Sequence, residues 1–153
     1  MTISELGAIG EFVAAIAVLI TLIYLVVQIK QTQTAIAANT NQALNDISVQ
    51  LYMAASTSES LAEALALSLQ DDAKLTNTQY QQCRGFWTAI IRNAENMHYQ
   101  FGLGLLEEQQ VLASTEVHRR LLRSNTHFQK LWKALETSLR PEFRDWMQSR
   151  FET

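Results

Sequence analysis

The chain has 153 residues, a net charge of −3 and a single cysteine. That length holds one modest folded domain beside a membrane segment. The mild acidity argues against a nucleic-acid partner, which needs a basic face, and lone Cys83 excludes an internal disulfide.

One Pro, five Gly and many Ala, Leu, Gln and Glu favour an all-α chain. The most apolar stretch is FVAAIAVLITLIYLVV, Phe12 to Val27, inside a longer run from Leu6 to Ile29. It holds no charge, and Thr21 is its only hydroxyl before Tyr24. As a helix, Phe12 to Ile29 reaches roughly 27 Å, close to the hydrocarbon thickness of a bilayer. A secretory signal wants a basic start and a shorter apolar region. Residues 1–10 have no Lys or Arg and carry Glu5, although Ala35-Ile36-Ala37 imitates a cleavage site. A buried helix of a soluble domain this small would show a polar side, and here every side is apolar. The expectation is a transmembrane anchor over 1–31, followed by a helical stalk and a helical domain over 32–153. Lys30 at the carboxyl end of the span sets that domain in the cytoplasm by the positive-inside bias, with Met1 outside.

No Gly or Pro interrupts the chain between Lys30 and Ser56, so one helix is predicted from about Leu6 to Ala55. Leu44, Ile47, Leu51 and Ala54 supply its apolar stripe, and fraying or a kink is expected near Asn39 to Asn41. Ser56-Thr57-Ser58-Glu59 reads as a capping box for a short helix through Leu61, Leu65 and Leu69, ending at Gln70-Asp71-Asp72. Thr76 with Gln79 opens a longer helix through Tyr80, Cys83, Trp87, Ile91, Ala94 and Phe101, with Gly102 as its left-handed stop and Gly104 in the loose connection. Glu107-Glu108 start a helix with Val111, Leu112, Val117, Leu121 and Leu122. Thr126 caps the next, striped by Phe128, Leu131, Trp132, Leu135 and Leu139. Pro141 begins the last, with Phe143, Trp146, Met147 and Phe151. The predicted fold is a small antiparallel helical bundle, rich in Trp and Phe at its core, set against the stalk.

Three stretches, GAIGEFVAAIAVLITLIYLVVQIKQTQ from Gly7 to Gln33, AENMHYQFGLGLLEE from Ala94 to Glu108 and PEFRDWM from Pro141 to Met147, resemble a widespread family of small bacterial single-span membrane proteins of unassigned function. The resemblance covers nearly the whole chain and implies one span of the inner membrane plus a helical cytoplasmic domain. It carries no active site. The family pattern often has Tyr after the Glu-Asn pair, where this chain has Met97-His98-Tyr99, and that departure counts against a shared role for His98.

Glu95 and His98 form a Glu-x-x-His unit on one helix face. Di-iron bundles need two such units and further inward acids. There is one here, and His118 and His127 lack acids in register, so the expectation is a hydrogen-bonded pair near the core, with no metal and no cofactor. Cys83 has no base within a turn, and no nucleophile elbow or phosphate loop exists, so no enzyme is expected. Arg119, Arg120 and Arg123 read as a solvated face or a contact with anionic headgroups.

The more informative pattern lies in the anchor. Gly7, Gly10, Ala14, Ala17, Thr21, Tyr24 and Gln28 recur at alternating steps of three and four, while Phe12, Ile16, Leu19, Ile20, Ile23 and Val27 face elsewhere. Small residues mark helix–helix seams in lipid, and Gln28 wants a polar partner. Glu11 flanks the line, either functional or interfacial. Expected partners are the bilayer and a membrane protein or a second copy of the chain. The leading function is an anchored accessory or scaffolding protein; the alternative is a homo-oligomeric pore or transducer lined by the same seam.

Overall fold

The computed structural model describes residues 2–70 and 73–150, with main chain only at residue 5. Within them the protein is all-α, with no strand: α1 (Ile3–Thr57), α2 (Glu59–Ser68), α3 (Asn77–Gly102), α4 (Glu108–Ser124), α5 (Thr126–Leu135) and α6 (Pro141–Ser149), with a 3-10 turn at Glu136–Ser138 before α6. Asp71 and Asp72, expected at a helix end, Phe151, expected on an apolar stripe, and Met1, expected outside, lie outside the described residues. The chain forms two compact units, Met1–Asn39 and Thr40–Thr153.

The first unit is helix from Ile3 onward, and it includes a segment long and apolar enough to cross a membrane. No strong helix breaker occurs in it apart from Gly7 and Gly10.

Helix α1 is unbroken through Asn39 to Asn41, without the expected fraying. A tertiary bond offsets the low propensity of Asn: the Gln110 amide donates to Asn41 Oδ1 at 3.1 Å. The inward stripe also differs from expectation. It runs through Leu44, Ser48, Leu51 and Ala55, and Ile47 and Ala54 are exposed. Ser48 turns its hydroxyl back to the Leu44 carbonyl at 2.9 Å, so a polar residue sits on the inner face without loss.

The helix starts follow local chemistry. Ser58, not Ser56, caps α2, accepting from the Leu61 amide at 3.4 Å. Ser56 and Thr57 instead return their hydroxyls to the Met53 carbonyl and prolong α1. In α2 the buried positions are Ala64 and Ser68, while Leu69 is 54% exposed as the C-cap. Thr76 and Gln79 form the predicted reciprocal capping box of α3.

At the other end of α3 the stop is Gly104 (φ +73°), and Gly102 is the last helical residue. Gly104 N–H donates to Phe101 O at 2.8 Å and Leu105 N–H to Gln100 O at 3.0 Å, which closes the helix on itself. Asn125, rather than Thr126, caps α5: its Oδ1 accepts the Phe128 amide at 2.8 Å. Pro141 takes the first turn of α6, as predicted.

The main core joins Ile91 and Ala94 of α3 to Phe128, Leu131 and Trp132 of α5, to Leu139, and to Phe143 and Met147 of α6. Burying each large side chain contributes about 1.5–3 kcal/mol before the entropy of ordering it. Trp87 meets Phe128 edge to face at 5.4 Å between centroids. A smaller cluster ties Leu44 of α1 to Leu106 and to Val111 of α4.

Candidate functional site

The line of small and polar residues in the first unit lies on an uncovered helix. Every described side chain from residue 6 to residue 36 is exposed. Gly7, Gly10, Ala14, Ala17, Thr21, Tyr24 and Gln28 therefore share one open side of α1, at the period of a heptad. Beyond the adjoining residues and the helix's own backbone, no atom lies within 4 Å of where a Cβ would stand at Gly7 or Gly10, so packing within the chain does not require glycine at either position. The polar members are tied locally. Thr21 donates its hydroxyl to the Ala17 carbonyl at 2.9 Å. Gln28 finds a polar partner on its own helix, donating to the Tyr24 hydroxyl at 3.0 Å. Glu11 is exposed beside Gly10.

In the helical domain the Glu95–His98 pair does not form. Glu95 is buried, and its Oε1 accepts the main-chain N–H of Arg140 at 2.6 Å, while Oε2 accepts from Arg92 at 2.8 Å. Both oxygens turn away from the imidazole because a guanidinium and a helix-start amide offer stronger donors to a carboxylate. His98 instead lies among rings, 5.0 Å from Trp146 and 5.6 Å from Phe143 between centroids. Burial lowers its pKa, and the nearby Glu142 charge partly opposes this. Among the described residues no group of three His, Cys, Asp or Glu side chains is placed to share a metal.

The other candidate side chains have structural partners. Cys83 is buried, and desolvation pushes its thiol up against a weaker opposing bond from the Ser68 hydroxyl. His127 bonds the Ala73 carbonyl at 3.1 Å. Arg119 and Arg120 both pair with Glu116 one turn earlier on α4.

Two residues stand out: Asn93, which sequence reasoning passed over, and His118, which it weighed only as a metal ligand. His118 on α4 is only 4% exposed, and neither ring nitrogen has a hydrogen-bond partner of good geometry. Asn93 on α3 donates weakly to Ser48 Oγ at 3.4 Å and leaves its buried Oδ1 unpaired. Both line a cavity of about 250 Å³ between α1, α3 and α4, whose walls include Leu51, Trp87, Ile90 and Met97. The spacing Val111, Thr115, His118 carried the signal, since those are the buried positions of α4, whereas Val117 is 50% exposed. No protein-family model, no curated protein and no solved structure matches the chain.

Proposed function

We propose that the protein is a membrane-anchored accessory or scaffolding module of the bacterial inner membrane. Its apolar helix crosses the bilayer and associates with another membrane helix, and its helical domain stands on the cytoplasmic side. The observation that carries this reading is the uncovered line from Gly7 to Gln28, small or locally satisfied at each position, on an otherwise bulky helix. Lipid supplies no hydrophobic drive for helix association, so close backbone contact along small residues is the available source of specificity. The pore alternative has less support, because Thr21 and Gln28 already use hydrogen bonds within the helix. The test is photo-crosslinking of the full chain in native membranes. A reactive side chain at Ala14 is expected to give one discrete protein adduct, and the same group at Leu19, on the opposite side, lipid adducts alone. Equal protein adducts from both positions would overturn the proposal.

A further inference from the structure

The cavity between α1, α3 and α4 has an occupant chemistry written into its walls. We propose that it is a binding site for a small neutral molecule with an apolar body, a ring or a branched chain, and one hydroxyl group. The argument is independent of how the anchor associates.

Size comes first. A cavity of about 150 Å³ holds benzene, so about 250 Å³ admits a ring with a short alkyl chain. The walls favour such a body: Leu51, Trp87, Ile90 and Met97 are apolar, and Trp87 is held in place by its edge contact with Phe128. Protein pockets of this kind commonly combine an apolar lining with a few polar groups that fix orientation.

The polar groups select the ligand's head. His118 brings one donor and one acceptor as a neutral imidazole, and Asn93 brings an unpaired carbonyl oxygen. A hydroxyl both donates and accepts, so it serves both residues when the ring nitrogen facing it carries the proton: it accepts from that N–H and donates to Asn93 Oδ1. A charged head is disfavoured. No Asp, Glu, Lys or Arg lines the cavity, and an ion buried without a counter-charge is costly. Burial also keeps His118 itself uncharged near neutrality, with its pKa lowered to about 4 despite the opposing pull of the Ser114 carbonyl. A purely apolar ligand would leave Asn93 Oδ1 and the imidazole nitrogen facing it unpaired, which costs free energy at each.

The test uses the full chain in lipid nanodiscs, with para-butylphenol and butylbenzene as probes and tryptophan fluorescence as the readout. Empty nanodiscs correct for partition into lipid. Para-butylphenol is expected to bind saturably. His118→Phe should weaken the phenol about ten-fold while leaving butylbenzene within two-fold. That variant replaces unpaired polar atoms by apolar ones of similar bulk, so it is expected to fold. Ala113→Phe, at an exposed position on the cavity wall, should abolish saturable binding of both probes by filling the space. Absence of saturable phenol binding to the unaltered chain, or equal phenol affinity in all three proteins, overturns the proposal.

Discussion

Glu95 and Arg140 are joined through the main chain: the Glu95 Oε1 accepts the Arg140 N–H at 2.6 Å, at the residue that precedes α6. The other oxygen holds Arg92, whose guanidinium also donates to the carbonyl and hydroxyl of Ser138 at 3.0 and 2.8 Å. One carboxylate on α3 thus fixes the turn that sets α6, and with it Phe143 and Met147, into the core. Glu95→Ala leaves a main-chain donor and a guanidinium without their acceptor. It should lower stability by about 2 kcal/mol in chemical unfolding. Glu95→Gln keeps one acceptor and should cost about half as much. Equal stability of all three proteins would show that the contact is dispensable.

The two glycines after Phe101 make a matched pair. Gly104 has φ +73°, where a side chain is strained, and Gly102 is helical with open space around its missing Cβ. Gly104→Ala should destabilise by about 1 kcal/mol. Gly102→Ala should stabilise by up to about 1 kcal/mol, because alanine loses less backbone entropy in a helix. Melting temperatures moving in opposite directions would establish Gly104 as the stop. A shift of the same sign for both would place the stop elsewhere.

Gly102 illustrates what the sequence could and could not specify. Helix type and order were legible from long runs without Pro, from apolar spacing and from Thr76–Gln79 and Pro141, since those signals act within a few residues. Which of two neighbouring candidates serves as cap or stop was not. Ser56 and Ser58, Gly102 and Gly104, and Thr126 and Asn125 differ only in where tertiary contacts let the helix end. Asn125 prevails over Thr126 because its amide also donates to the Ser68 carbonyl of α2 at 2.7 Å, a bond across 57 positions that no local pattern contains. Inner faces were misread for a related reason. Apolarity pointed to Ile47 and Val117, but the buried faces pass through Ser48, Thr115 and His118. The two hydroxyls bond the main chain of their own helices, and the imidazole lines the cavity. The line of small and polar residues on α1 is a pattern of the sequence itself, whereas the cavity required three helices to be placed together.

His118 makes stability depend on pH in a defined direction. Its folded pKa, lowered to about 4, lies below the value of about 6.5 expected for an unfolded chain. The unfolded state therefore takes up a proton first as pH falls. The stability associated with a neutral His118 is complete above pH 6.5, is lost between about 6.5 and 4, and falls no further below the folded pKa. The shift corresponds to about 3 kcal/mol. His98, also lowered by burial, acts in the same sense, so the comparison must be made between variants. Chemical unfolding at pH 7 and pH 4 should show a loss in the unaltered chain about 3 kcal/mol greater than in His118→Phe. The same loss in both would mean that His118 takes up its proton as readily in the folded state as in the unfolded chain.

The line of small residues on α1 leads to the last prediction. Ala17 lies near the middle of that line, and the Thr21 hydroxyl rests on its carbonyl at 2.9 Å. If another helix packs there, Ala17→Leu pushes the two backbones apart, and lipid provides no compensating hydrophobic gain. A loss of about 1–2 kcal/mol shifts an association equilibrium roughly 5–30-fold, enough to dissolve a weak complex. Membrane insertion should not suffer, since leucine is more apolar than alanine. The matched control is Leu19→Ala, about 160° around the helix from Ala17 at roughly 100° per residue. It removes as much side chain as Ala17→Leu adds to the seam, yet it should leave association intact. The measurement is chemical crosslinking and co-purification from native membranes for the two variants and the unaltered chain. Ala17→Leu should reduce the crosslinked fraction at least five-fold, with Leu19→Ala unchanged. If the two variants behave alike, the span is a tether, and any association belongs to the helical domain that follows it.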